Sequence, residues 1–138
     1  MYSVVFGLGQ GLRDVEARLM KGLLDLVILN YLRVSPMHGY QIIASIRKNF
    51  GVYFGPSTIY PLLNALEQKG YIKSVWNLDN DRPRKVYGLT PEGERLLSFT
   101  EDSLTHICHK LSTLNVNKVL MNGHVAKQLL PTLKSAEK

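Results

Sequence analysis

At 138 residues, 45% of them hydrophobic and 20% charged, the chain is sized for one domain whose core needs no disulfide or structural metal. Its net charge of +6 is uneven: residues 13–88 hold 11 basic and 6 acidic side chains, a net of +5, and residues 90–138 hold 6 and 5, a net of +1. A lone cysteine, Cys108, excludes an internal disulfide framework and points to a reducing compartment, the cytoplasm by default; no run reaches the ~18 to 20 apolar residues of a membrane span, and the apolar N-terminus lacks the positive region of a signal peptide.

Residues 1–12, MYSVVFGLGQGL, carry three glycines and no charge, and read as a loose arm or an added strand. GLGQG is not G-x-G-x-x-G and lacks a strand–helix–strand setting, so nucleotide binding is not expected there. From Val15 to Arg33, Leu19, Leu23, Leu26, Val27, Ile28, Leu29 and Leu32 predict one helix, apolar on most sides, that ends before Ser35-Pro36 because proline disfavours helical geometry in the residue before it. A second helix is expected from His38 or Gly39 to about Asn49, with Gly51 as its stop. Pro56 opens a third helix, or Ser57 caps it, and Gly70 ends it. Within it Ile59, Leu62, Leu63 and Leu66 share one face, which leaves Ser57, Thr58, Tyr60, Pro61 and Asn64 pointing away from the core.

Tyr71 to Leu78 then reads as a strand, residues 79–83 as its turn and Arg84 to Leu89 as the returning strand. Trp76 is expected to pack beneath this hairpin. Thr90 as N-cap, Pro91 at the first helical position and Glu92 close behind start a long helix. Leu97, Leu104 and Leu111 are spaced by seven, as are Ile107 and Leu114, which matches the seam of a paired coil. Cys108 adjoins that seam and reads as a small buried hydrophobe, the alternative being an intersubunit thiol. Beyond residues 115–117, Val119, Leu120, Val125, Leu129 and Leu130 suggest either a continuation or a short last helix stopping at Pro131, followed by a frayed tail. The architecture implied is mainly α, an α+β winged helix: a three-helix helix-turn-helix with a two-stranded wing over residues 13–90, and a dimerising helical region over residues 91–138.

The positive charge falls on the part whose order of elements suits a DNA groove. Arg82, Arg84 and Lys85 cluster at the hairpin, where arginine can enter a minor groove or meet phosphates, with Lys69 and Lys73 flanking; Asp79 and Asp81 partly offset them. On the third helix, hydroxyls and the Asn64 amide can meet phosphates or base edges, and Pro61 can touch a thymine methyl. The alternative is that Ser57 only caps the helix and Tyr60 packs across the turn. His38, His106, His109 and His124 have no metal-ligand spacing, and no paired carboxylates or serine–histidine arrangement stands out, so neither an enzyme nor a cofactor is expected.

Five ordered blocks then carry a resemblance: Leu19-Met20-Lys21-Gly22, Pro36-Met37-His38-Gly39-Tyr40, Pro56-Ser57-Thr58-Ile59-Tyr60-Pro61, Leu66-Glu67-Gln68-Lys69-Gly70 and Arg84-Lys85-Val86-Tyr87-Gly88-Leu89-Thr90. Over residues 17–97 the chain resembles the PadR-like transcriptional regulators. The resemblance implies a winged helix-turn-helix with a C-terminal helix that dimerises, Tyr40, Ser57, Thr58, Tyr60 and Pro61 at the DNA surface with Lys21 nearby, and Arg82, Arg84 and Lys85 in the wing. It further implies a repressor, since many members are repressors released by small molecules; pairing of the long helices, with half-sites one duplex turn apart, predicts a homodimer on a near-palindromic operator. The rival reading is a winged helix that binds another protein and no specific DNA.

Overall fold

The computed structural model describes residues 10–79 and 81–136, and the side chains of residue 11 and of residues 13–79 and 81–115. Its elements run α1 (Gln10–Gly22), α2 (Leu24–Val34), β1 (Met37–His38), α3 (Gly39–Phe50), α4 (Pro56–Gln68), β2 (Ile72–Asn77), β3 (Arg84–Leu89) and α5 (Pro91–Ala136). The chain divides into two units after Thr100, so the first turns of α5 belong with the winged helix.

The single helix expected over Val15–Arg33 is two helices. Leu23 sits at φ −105°, ψ 6°, outside the helical well, and its N–H is shared between the carbonyls of Leu19 and Met20. Gly22, the residue before it, is the weakest helix former in the run, which makes this the place where the helix breaks. α1 begins at Gln10, inside the expected arm; residues 1–9 of that arm lie outside the described residues. Val15 and Leu19 of α1 are exposed, whereas α2 buries Leu24, Ile28, Leu29 and Leu32.

α3 and α4 follow the residues that punctuate them. His38 and Gln41 form a capping box at the start of α3, and Gly51 closes it in the left-handed region at φ 68° that glycine adopts without a Cβ penalty. Pro56 occupies the first turn of α4 with Gly55 as a cap lacking a side chain, so Ser57 is not the cap. Ile59, Leu63 and Leu66 of α4 join Ile42, Ile43 and Ile46 of α3 and the α2 residues in one core.

The wing is wider than a hairpin. β1 pairs antiparallel with β3 (Met37 opposite Tyr87), and β3 pairs with β2 (Ile72 opposite Leu89, Trp76 opposite Lys85), giving the order β1-β3-β2. Tyr87 and Ile72 are buried on the core face; further out β2 leaves the core behind, so Trp76 is 60% exposed and does not pack beneath the wing. Thr90 starts α5 by accepting the Gly93 N–H on its hydroxyl oxygen at 3.0 Å, and the same hydroxyl donates to the Gly70 carbonyl at 2.6 Å. Gly93 packs against the backbone of Tyr71, where a Cβ would overlap the carbonyl.

α5 continues without interruption to Ala136, through Pro131, so residues 132–136 are helical; the side chains of Val119, Leu120, Val125, Leu129 and Leu130 lie outside the described residues. Leu97 corrects the seam pattern, because it is fully buried in the core of its own winged helix and has no surface to offer a partner. Leu104 is half-buried, Ile107, Leu111 and Leu114 are exposed, and Cys108 is exposed rather than buried. Among the described residues no helix is long and apolar enough to cross a membrane.

Candidate nucleic-acid interface

α4 packs through Ile59, Leu63 and Leu66, and that burial turns Ser57, Pro61, Asn64 and Gln68 outward as a stripe at four- and three-residue steps. Thr58 and Tyr60 flank it and are half-buried. Pro61 lies inside the helix; its missing N–H leaves the Ser57 carbonyl without the usual helical donor, an acceptor that the exposed face can offer to a ligand. Gln68 extends the stripe one turn beyond the residues singled out by the sequence.

Between α4, the start of α3 and the wing lies a cleft of about 530 Å³ lined by Tyr40, Tyr60, Asn64, Trp76, Arg82 and Arg84, with His38, Lys85 and Tyr87 at its floor and sides. Tyr40 and Tyr60 meet edge to face, with ring centres 6.2 Å apart at 73°. Tyr60 lies against Gly39, where a Cβ would come within 2.5 Å of its ring, so the glycine at the start of α3 is what lets the tyrosine sit there. Burial, then the Tyr40 phenol, pushes the Tyr60 pKa up; burial, then Glu67, then Tyr60, does the same for Tyr87. Both phenols keep their protons at neutral pH and remain donors.

Arg84 reaches back from β3 to His38, its Nη1 lying 3.1 Å from Nε2. The other ring nitrogen, Nδ1, accepts the Gln41 N–H at 3.3 Å. Arginine only donates, so Nε2 accepts from it only in the tautomer protonated at Nδ1, whereas the Gln41 N–H needs Nδ1 as acceptor; the neutral ring serves one of the two at a time. Only Nη1 of Arg84 meets the ring, and the other guanidinium donors remain for a phosphate. Burial, then the Arg84 charge, lowers the His38 pKa. The unfolded chain takes up this proton near pH 6.5 whereas the folded imidazole resists it until lower pH, so this contribution to stability is complete above about 6.5 and is lost as pH falls below it. His38→Asn, which keeps an N-cap acceptor, should make denaturant-measured stability fall less steeply between about pH 7 and 5.5 than it does in the natural protein.

The sequence-derived set is thus brought together only in part. Tyr40, Tyr60, Asn64, Arg82 and Arg84 share the cleft, and Ser57, Thr58 and Pro61 continue the α4 face. Lys21, exposed on α1, does not line the cleft. Lys85 does, but its ammonium is 3.7 Å from Glu67 Oε2. A second concavity, formed by Tyr40, Ala44, Arg47, Lys48, Tyr53 and Pro56, lies beside the start of α4, with the Arg47 guanidinium 5.7 Å from the Tyr53 ring centre. Arg47 and Lys48 went unremarked in the sequence, although two basic residues in the last turn of a helix are a readable signal. Among the described residues no group of three or more His, Cys, Asp or Glu could hold a metal.

A helix-turn-helix whose second helix presents polar residues beside an arginine-bearing β-hairpin defines the class, a winged-helix DNA-binding protein. The profile of the transcriptional regulator PadR-like family matches residues 28–98, and the chain belongs to that family. It is 34% identical over 84 residues to a transcriptional regulator of Mycobacterium tuberculosis, covering 61% of this chain and 78% of that one. It is also 32% identical over 83 residues to an uncharacterised 37.1 kDa protein in a Streptomyces fradiae transposon, of whose length the match spans 23%. The crystal structure of a PadR-family transcriptional regulator from Eggerthella lenta superposes with a TM-score of 0.69 at 31% identity, covering 75% of this chain and 90% of that one. A PadR-like transcription factor from Bacteroides fragilis gives 0.62 at 26% identity, covering 73% and 98%. The protein is a DNA-binding transcriptional regulator and not an enzyme.

Proposed function

We propose that the protein is a homodimeric repressor that lays α4 of each subunit in a major groove of a near-palindromic operator, with half-sites about 34 Å apart. Ser57, Thr58, Tyr60, Pro61 and Asn64 face the groove, Tyr40 and Lys21 flank it, and Arg82 and Arg84 of the wing meet phosphates or the adjoining minor groove. The observation that supports this reading is the shared cleft, which Tyr60 and Asn64 of α4 line together with the two arginines. Repression follows from occlusion of a promoter, and a small-molecule effector releases the protein by favouring a separation of the two heads that no longer fits the duplex. Use of duplex DNA and a lone thiol support a cytoplasmic location.

Arg82→Ala with Arg84→Ala is expected to flatten the dependence of log affinity on log salt by about 1.8 per head, at about 0.9 for each phosphate left without its cation, in fluorescence anisotropy with a labelled duplex. An unchanged slope removes the wing from the interface. One observation favours a second reading, docking of another protein: Val75, Trp76 and Leu78 are exposed on the wing and, with Pro36 and Val86, line an apolar hollow of about 540 Å³. Binding of random duplex at low salt separates the two, because a pure protein-docking module would not show it.

A further inference from the structure

Lys85 is held by a carboxylate, whereas among the described residues its neighbour Arg84 meets only the His38 ring. Strand alternation sends consecutive residues to opposite faces, so Arg84 faces His38 while Lys85 faces α4. Its ammonium stands 3.7 Å from Glu67 Oε2 and 5.8 Å from the centre of the Tyr87 ring. The other oxygen of the same carboxylate, Oε1, accepts the Ser74 hydroxyl at 2.6 Å. Glu67 of α4 is thereby tied to both wing strands, to β2 through Ser74 and to β3 through Lys85. Oε2 is sealed from water without a hydrogen bond, so the Lys85 charge is what compensates it.

We propose that Glu67 is a specificity-determining residue of this regulator: its carboxylate holds Lys85 against the wing and away from DNA phosphates, and fixes the wing relative to α4. The inference rests on the DNA-facing reading of α4 and the wing given above. A cation on a phosphate strengthens binding to every sequence alike, whereas base contacts strengthen binding to one. Neutralising Lys85 within the protein therefore withholds one sequence-independent contact, while the anchored wing holds Arg82 and Arg84 in register with the residues of α4 that meet bases.

Glu67→Gln tests this, because the amide oxygen can still accept from Ser74 while the charge that holds Lys85 is gone. Binding is measured by anisotropy across a salt series, on a random duplex and on an operator recovered by selection from a random pool. The expected result is a several-fold gain on random duplex, a salt slope steeper by about 0.9 per head and a narrower ratio between operator and random duplex. Adding Lys85→Met to Glu67→Gln should return the slope to that of the natural protein. Lys85→Met alone keeps the apolar stem over Tyr87 and should leave the slope unchanged. The proposal is overturned if Glu67→Gln leaves slope and ratio as they were. It is equally overturned if Lys85→Met, with an unaltered thermal unfolding midpoint, flattens the slope by about 0.9, since Lys85 would then already touch a phosphate. The single Lys85 variant decides the matter even where Glu67→Gln fails to fold. Failure of the natural protein to bind any duplex would instead strike the DNA-facing reading itself.

Discussion

Leu97→Ala is expected to lower the unfolding free energy of the winged helix by roughly 2–5 kcal/mol, as for other fully buried leucines, while leaving self-association in the surviving folded fraction intact. Leu97 stands two turns into α5 and has no exposed surface; it joins Ile28, Ile59, Leu63, Ile72 and Tyr87 in the core. Removing three carbons there forfeits their burial and leaves a cavity that α2, α4 and the sheet cannot all close upon. Leu114→Ala provides the contrast. That side chain is 62% exposed, so truncating it should shift the stability of the isolated chain by no more than about 0.5 kcal/mol. Denaturant titration followed by circular dichroism, run over a series of protein concentrations down to where the chain is monomeric, checks both, because dimerisation adds a concentration-dependent term to apparent stability. If Leu97→Ala kept full stability and instead turned a dimer into monomers, the residue would belong to a subunit seam and its place in the core would be wrong.

The residues that impose backbone demands made most of the winged helix legible. Gly51 and Gly70 both adopt positive φ, Pro56 opens α4, and Thr90-Pro91 starts α5, so the helix ends fell close to where those residues stand. β3 runs over Arg84–Leu89, where the turn at residues 79–83 placed the returning strand. What stayed hidden is what periodicity cannot carry. The apolar pattern of α1 and α2 runs on across Leu23, and only the backbone breaks. A strand of two residues such as Met37–His38 has no pattern at all. Leu97 keeps perfect heptad spacing with Leu104 and Leu111, yet spacing along one helix does not reveal which turns the neighbouring core has already claimed. Trp76 fails for a related reason, since its strand outruns the core beneath it. For the interface, Tyr60, Asn64, Arg82 and Arg84, singled out on α4 and the wing, line one cleft with Tyr40 of α3, which entered only through the family resemblance. The pairing of Lys85 with Glu67 joins residues 18 positions apart on different elements, and charge counting along the chain scores that lysine as free.

In the homodimer proposed above, Ile107→Asp with Leu111→Asp should leave each winged helix folded and separate the subunits, with a loss of operator affinity on the order of 100- to 10,000-fold. Ile107, Leu111 and Leu114 are 53%, 56% and 62% exposed and recur at four- and three-residue steps, so they form one apolar stripe on α5. Burying such a side chain is worth roughly 1.5–3 kcal/mol, and a partner helix bearing the same stripe is the self-complementary way to do it in a twofold dimer. Two carboxylates in that seam, each opposed by its twofold mate, replace the gain with desolvation and like-charge repulsion. The DNA consequence follows from tethering. In a dimer, docking of the first head places the second near its half-site at high effective concentration, and a monomer forgoes that advantage while each head keeps its own grip on the duplex. Sedimentation velocity should therefore report a single chain, and anisotropy should show equal affinity of the variant for a full operator and an isolated half-site. A variant that sediments as a monomer but grips the full operator as tightly as the natural protein would rule out paired heads as the source of affinity.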